Sequence, residues 1–376
     1  MTSIMTVFDS LFDSNNRIGH CMACGEDKMK HYYLNIIRFS LEANQSDPES
    51  LFKTDWEGFY EFCHRHSIEG VILSGIDRAN IRIDQKVLFE WIALSEKIRR
   101  RNEILNKRTV EISDWFRERG YRSVILKGQA NSLMYPNPEA RCPGDIDIWV
   151  EGEQKTVIKM IMEQWADAHY SIHHIDMPAF KDVSVEVHYR PIYLRNWFLD
   201  KKLARYISSI EEPQFSNKVQ LEGKEIGHLT DDFNAVYEML HMYAHFFTSR
   251  NSFKQFIDYY YLLKRGLSEQ QKADVAARFE EFKVDRYARG IMWIMKDTLG
   301  LDEGFLIVEP SERIGRAILR ESKRYGTFSS RKLLGVLQEF LGNLRVVWLF
   351  PGEVIISPLF LVWHQWWKLR MRLALR

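Results

Sequence analysis

The sequence is poor in cysteine, in net charge and in long uncharged runs, and each shortage narrows what the chain can be. Four cysteines in 376 residues do not build a disulfide framework and suit a reducing, cytoplasmic compartment. A formal net charge of +1 gives no global electrostatic reason to bind nucleic acid. The run Val354 to Trp367 has no Asp, Glu, Lys or Arg, but it is 14 residues long with Pro358 inside, short of the about 20 needed to span a bilayer. The first 30 residues lack a basic start followed by a long apolar core, so no signal peptide is expected. No internal repeat or low-complexity segment is visible. What is present is ordinary for a globular chain: 45% hydrophobic and 27% charged residues, enough for two or three domains with ample core.

The chain divides into four stretches. Residues 1–30 are polar and irregular and carry Cys21 and Cys24. Such a Cys-x-x-Cys can bind zinc or cycle redox states. A structural zinc takes four ligands, and the nearest further donors are His31, Cys63, His64 and His66. Residues 31–120 read as helices. Asp55 is an N-cap signal for a helix to His66 with Phe59, Phe62 and Cys63 on one face. A long helix covers 86–119, with Arg99, Arg100 and Arg101 on a solvated or RNA-touching face, and Gly120 ends it.

Residues 121–230 form an α/β core. Strands are expected at 122–127 and 146–150, and helices at 130–135 and 154–169. A hairpin is expected from 170–175 and 183–188, then a helix at 194–206 and a second hairpin within 215–229 around Gly223. Residues 231–376 are helical, opened by the capping signal Thr230-Asp231-Asp232. The fold class is α+β: a small mixed sheet flanked by N-terminal and C-terminal helical regions.

The chemistry concentrates in residues 124–150. An apolar strand ends at Lys127-Gly128, a turn-rich stretch follows, and Gly144-Asp145-Ile146-Asp147-Ile148 opens a second strand. Alternation puts Asp145 and Asp147 on one face, about 7 Å apart. Two adjacent carboxylates stay ionised together most readily around a cation, and a hard divalent ion with oxygen ligands, Mg²⁺ or Mn²⁺, is the natural occupant. Such an ion suits phosphoryl or nucleotidyl transfer. Gly128 lets backbone approach a phosphate, and Lys127 meets its charge. In Val183-Ser184-Val185-Glu186-Val187-His188 the valines share one face and Glu186 and His188 the other. A glutamate amid valines needs a positive partner unless that face is wet, which makes Glu186 a candidate third carboxylate. His188 can orient Glu186, bind a phosphate, act as a base or serve as a structural histidine. Arg141 and Arg190 are candidates for bidentate contact with triphosphate oxygens.

Leu126-Lys127-Gly128, Tyr135-Pro136, Arg141 and Gly144-Asp145-Ile146-Asp147 together resemble the signature of the bacterial uncharacterised nucleotidyltransferase family, within the DNA-polymerase-beta-like nucleotidyltransferase superfamily. The resemblance implies a metal-binding Asp-x-Asp on a small mixed sheet, a later third carboxylate and a nucleoside triphosphate donor, ATP among them. Glu186 followed by His188 matches the family's acidic residue and histidine. Lys127, Gly128, Arg141 and Gly144 are then the nucleotide-binding residues. Asp145, Asp147 and Glu186 are the catalytic and metal-binding ones. The spacing departs from the wider superfamily: Lys127-Gly128-Gln129 stands where Gly-Ser is usual, and Asp145 lies 17 residues beyond Gly128. Gln129 or Ser132 can supply the missing polar group. The His245, Lys254 and Asp258 constellation resembles the family's C-terminal helical part, either beside the nucleotide or acceptor or as a buried polar network. His241 and His245, four apart, share a helix face but lack the glutamate of a zinc-protease motif.

Three functions compete: a transferase acting on a small molecule or sugar, one acting on a protein or RNA end, and a non-catalytic nucleotide-binding or structural protein of the same fold. The tail adds one more question. Residues 311–376 hold 12 Lys and Arg against 4 Asp and Glu. The segment 354–376 can lie on an anionic membrane surface or dock as a terminal helix, and the docked helix is the reading favoured by the sequence.

Overall fold

The computed structural model describes residues 31–41, 54–78, 83–325 and 339–375. The Cys21–Cys24 motif and the irregular stretch 1–30 lie outside the described residues. Among the described residues, three helices come first: α1 (His31–Leu41), α2 (Trp56–His66) and α3 (Glu69–Arg78). Asp55 caps α2 by accepting the Gly58 N–H. The long helix α4 (Gln85–Glu118) begins at Asp84, whose carboxylate accepts the Lys86 and Val87 N–H groups. Arg99 and Arg100 pair with Glu96, and Arg99 also with Glu103, so these two arginines contribute to a solvated, ion-paired face. Of the sequence's zinc candidates, Cys63 and His66 are buried, and His64 Nδ1 pairs with Glu69 at 2.6 Å.

The sheet follows, built from β1 (Ser123–Ile125), β2 (Ile146–Val150), β3 (His174–Met177) and β4 (Val185–His188) in the order β1-β2-β4-β3. β2 and β4 are parallel; the other two pairings are antiparallel. The short helix α5 (Gln129–Ser132) follows β1, and α6 (Gln154–Gln164) crosses from β2. Alternation divides the sheet's two faces. Ile146, Ile148, Val185 and Val187 pack with Leu105, Ile112 and Phe116 of α4 and Val157, Ile158 and Ile161 of α6 in one core. Trp149 belongs to the second core, which continues into the C-terminal helices. Asp147 and Glu186 are cross-strand partners on that second face.

Several expected boundaries move. The strand expected from residue 170 begins at His174, because the Ser171 N–H closes a turn onto the His174 carbonyl at 2.8 Å. The helix expected to 169 stops at Gln164, where Trp165 leaves helical geometry at φ −132° and ψ 80°. The helix expected at 194–206 is α7 (Trp197–Ser216), capped by Asn196. It leads to the hairpin β5 (Lys218–Leu221) and β6 (Lys224–Gly227), with Gly223 in the turn at φ +73°. β6 lies so near β1 that a Cβ on Gly227 would sit 2.1 Å from the Ser123 carbonyl oxygen.

The C-terminal helices are α8 (Asp231–Thr248), α9 (Phe253–Lys264), α10 (Glu269–Glu281), α11 (Asp285–Trp293), α12 (Glu312–Ser322) and α13 (Pro351–Leu375). One side of α13 docks onto the sheet unit: Met371 is buried in its core, Trp367 meets Tyr170 at 6.3 Å and Phe360 stacks on Tyr193 at 5.6 Å. Ile355, Leu359, Trp366, Leu369 and Leu373 on α13 are exposed. No helix among the described residues is long and apolar enough to cross a membrane.

Candidate functional site

The site begins where β1 ends. Leu126 donates its N–H to the Asp147 carbonyl at 3.0 Å, which carries the pairing of β1 with β2 one residue further and sets Lys127 beside Asp147. Gly128 then turns the chain at φ 64° and ψ −117°, a conformation that suits glycine. A Cβ there would lie 3.5 Å from the Asp145 carbonyl oxygen, so the Lys127–Gly128 turn and the entry to β2 are in close contact.

The loop from α5 to β2 is clamped from two sides. Asn102, buried on α4, donates to the carbonyl oxygens of Glu139 and Arg141, each at 2.8 Å. Asp258 of α9 accepts Arg141 Nε at 2.7 Å, Arg141 Nη2 at 2.9 Å and the Tyr135 hydroxyl at 2.5 Å. Arg141 and Asp258 are both buried. Burial opposes both charges, but each partner outweighs it: the Asp258 pKa falls and the Arg141 pKa rises. The sequence reading gives the Arg141 guanidinium to a triphosphate. Its bidentate partner is the Asp258 carboxylate, and the Arg141–Asp258–Tyr135 set is a buried polar network. Arg190 is likewise occupied, pairing with Asp200 at 2.6 and 2.9 Å. Gln129 and Ser132 are buried; Gln129 donates to Asn106, and Ser132 Oγ donates to the Gln129 carbonyl at 2.7 Å.

Asp147 is the electrostatic centre. It is 2% exposed, with Lys127 Nζ 3.2 Å from one oxygen and His188 Nε2 3.2 Å from the other. Burial works against its ionisation, but Lys127 and His188 prevail and hold its pKa well below the usual carboxylate range. Asp145 is half-buried and its pKa is raised, first by the Asp147 charge and then by burial. Glu186 Oε2 lies 3.7 Å from His188 Nε2 and 3.5 Å from His174 Nδ1. Burial pushes the Glu186 pKa up, yet the His188 hydrogen bond and the His174 and His188 charges bring it down overall. His188 is buried, which disfavours its protonation, but hydrogen bonds to Asp147 and Glu186 raise its pKa. The face that holds Glu186 and His188 is therefore not simply wet.

Helices α8 and α9 close the other side. His241 Nε2 is 3.2 Å from Lys127 Nζ and 3.2 Å from His245 Nε2, and His245 Nδ1 meets Ser249 Oγ at 3.0 Å. Burial first, and the Lys127 charge second, lower the His241 pKa well below normal and His245 to about 4, so both rings are neutral at pH 7. Glu238, one turn earlier, accepts from Asn131 Nδ2 at 2.7 Å. Lys254 Nζ reaches the Pro143 carbonyl at 3.5 Å and would lie 3.7 Å from a Cβ on Gly144. Burial first and the Arg141 charge second lower its pKa to about 8.

The donor set fits a divalent cation. Asp147, Glu186 and His188 each offer an atom within 4.8 Å of the others, and the buried Asp147 Oδ2 faces the Lys127 ammonium at 3.2 Å with no hydrogen bond of good geometry. The paired carboxylate oxygens of Asp147 and Glu186 suit Mg²⁺ or Mn²⁺. Asp145 stands at the entry to the same strand and is coupled electrostatically to Asp147. Sequence reasoning passed over His173 and His174, which meet Glu186 and His188 at the sheet edge. The available signal was the consecutive pair itself, just ahead of the predicted Glu186 strand.

A family model described as an uncharacterised nucleotidyltransferase matches residues 53–300. No functionally curated protein matches the chain. Among solved structures, the chain is similar to an antigenic nucleotidyltransferase-like protein from Paracoccidioides brasiliensis, with 10% identity and a TM-score of 0.36 over 56% of this chain and 96% of that one. The family match runs from the N-terminal helices through the sheet and the Asp147 site to α11, and on it the chain belongs to the uncharacterised nucleotidyltransferase family.

Proposed function

We propose that this chain moves a nucleoside monophosphate from a nucleoside triphosphate to a hydroxyl acceptor at the site around Asp145, Asp147 and Glu186. The observation that carries the reading is the register pairing of Asp147 with Glu186 on adjacent parallel strands, with Asp145 at the entry to the first. Asp147 and Glu186, held ionised by cationic and imidazole neighbours, with Asp145 electrostatically coupled to both, suit chemistry on a polyphosphate. A bound Mg²⁺ or Mn²⁺ supplies neutralisation of phosphate charge and alignment of the reacting oxygens.

The remaining work falls to the chain itself. Asp145, Asp147 and Glu186 would hold the cation, with His188 fixing the carboxylates of Asp147 and Glu186 by its ring N–H. Lys127 and Lys254 flank the Asp145–Asp147 strand entry and would meet phosphate charge, with the Gly128 and Gly144 backbone leaving room for close approach. Glu186 is the more exposed of the two register partners and is positioned to take the acceptor proton. The acceptor oxygen bonds to the α-phosphorus, the bond from that phosphorus to the bridging oxygen breaks, and pyrophosphate leaves with the electron pair.

The test is a thermal-shift screen of ATP, GTP, CTP and UTP, with and without Mg²⁺ or Mn²⁺, on the wild type and on the Asp145→Ala/Asp147→Ala double variant. Metal-dependent stabilisation by one triphosphate, lost in the variant, supports the reading and names the donor. No shift in a cooperatively unfolding wild type would favour a non-catalytic role. Labelled product on a small molecule, on protein or on RNA then identifies the acceptor class.

A further inference from the structure

Three histidine rings meet at the outer edge of the sheet. His173 and His174 enter β3, the edge strand, and His174 is the cross-strand partner of His188 on β4. Ring centroids are 4.6 Å apart for His173–His174, 5.2 Å for His173–His188 and 5.3 Å for His174–His188. Each ring offers a nitrogen within 4.8 Å of the other two. Tyr193 backs His173 at 4.9 Å and is itself stacked on Phe360 of the terminal helix.

Hydrogen bonding among the three rings does not account for this arrangement. His174 Nδ1 and His173 Nε2 are 3.4 Å apart, longer than an ordinary N–H hydrogen bond. That separation matches the edge of a tetrahedron, about 3.4 Å, around a metal with nitrogen bonds of roughly 2.0–2.1 Å. In addition, the Nδ1 atoms of His173 and His188 are buried without a hydrogen-bond partner among the described residues. A self-satisfied polar cluster leaves few such atoms.

We propose that His173, His174 and His188 form a transition-metal site at the sheet edge. Imidazole nitrogens select Zn²⁺, Co²⁺, Ni²⁺ or Fe²⁺ over Mg²⁺; His188 is shared with the carboxylate site, its Nε2 facing Asp147 and its Nδ1 buried without a hydrogen-bond partner. Occupancy would tie β3 to β4. The proposal stands apart from nucleotidyl transfer: it needs three imidazoles to bind a metal, whatever reaction occurs next to them.

The experiment uses the full chain, stripped with EDTA and titrated with Co²⁺, whose visible d–d absorption is strong in tetrahedral sites and weak in octahedral ones. The wild type is expected to gain intense visible bands at one equivalent, displaced by Zn²⁺ and unaffected by excess Mg²⁺. His173→Gln and His174→Gln are each expected to weaken Co²⁺ binding by at least about 10–100-fold, the loss typical of removing even an outer-shell partner of a metal site. Asp145→Asn is expected to keep the bands while losing metal-dependent triphosphate binding, so this proposal and the nucleotidyl-transfer reading fail separately. Should a histidine variant not fold, the cobalt-loaded wild type provides the second readout. Hyperfine-shifted imidazole N–H resonances from three histidines support the site, and fewer than three overturn it. Wild type without tetrahedral bands, or bands unchanged in both folded histidine variants, would also overturn it.

Discussion

Lys127 Nζ lies 3.2 Å from Asp147 Oδ2, an ammonium facing a carboxylate that is 2% exposed. The pair joins the end of β1 to the middle of β2. Its ammonium also contacts His241 of α8, so one side chain links the sheet to the C-terminal helices.

Removing that ammonium should therefore cost stability as well as function. Lys127→Met leaves a buried carboxylate uncompensated, and breaking such a pair costs about 3–5 kcal/mol. Urea unfolding should show this loss in metal-free buffer. Millimolar Mn²⁺ should return part of it by supplying a new counter-charge to Asp147. A variant as stable as the wild type would show that the pair carries little of the fold.

Asp145 should behave in the opposite way. Its pKa is raised chiefly by the neighbouring Asp147 charge, so Asp145→Asn removes a repulsion. The melting temperature in metal-free buffer should hold or rise, while transfer activity should fall at least about 100-fold, the equivalent of the several kcal/mol a catalytic metal supplies. A parallel loss of stability and activity would instead make Asp145 structural. The expected split is the usual conflict between a stable site and a working one.

The buried Arg141–Asp258 pair predicts a stability effect without a nucleotide effect. Arg141→Met should destabilise by about 3–5 kcal/mol, because Asp258 is left charged and buried. In variant protein that remains folded, triphosphate affinity should be close to wild type. An affinity loss greater than tenfold with unchanged stability would restore a direct phosphate contact for Arg141.

His66 gives the acid limb of the stability curve. The ring is fully buried, its pKa is lowered to about 3 by burial and then by Arg65, and its Nδ1 accepts the Phe253 N–H at 3.3 Å. The folded state therefore keeps it neutral, while the unfolded chain takes up a proton below its ordinary value of about 6.5. Stability from this residue is complete above about pH 6.5 and is lost progressively as pH falls toward 3. His66→Gln should flatten that part of the pH–stability curve measured by urea unfolding, and an unchanged slope would count against the assignment.

The alternation of Asp145-Ile146-Asp147-Ile148 and of Val185-Glu186-Val187-His188 was legible because a strand repeats every two residues. A local pattern is thereby enough to separate core-facing from site-facing side chains. The bounds of β2, the capping of α2 at Asp55 and the turn at Gly223 follow from similarly local chemistry. Partner choice is not local. Asp258 lies 117 residues from Arg141, and His241 lies 114 from Lys127, so an arginine that reads as a phosphate ligand in the sequence is claimed by a carboxylate from a distant helix. The same holds for His173 and His174, which look like an ordinary strand entry until β3 pairs with β4 and brings them to His188 and Glu186. Sequence determined which residues could do chemistry and which face of each strand would carry them. Tertiary structure alone decided which charges neutralise one another, because those contacts depend on how the helices close over the sheet.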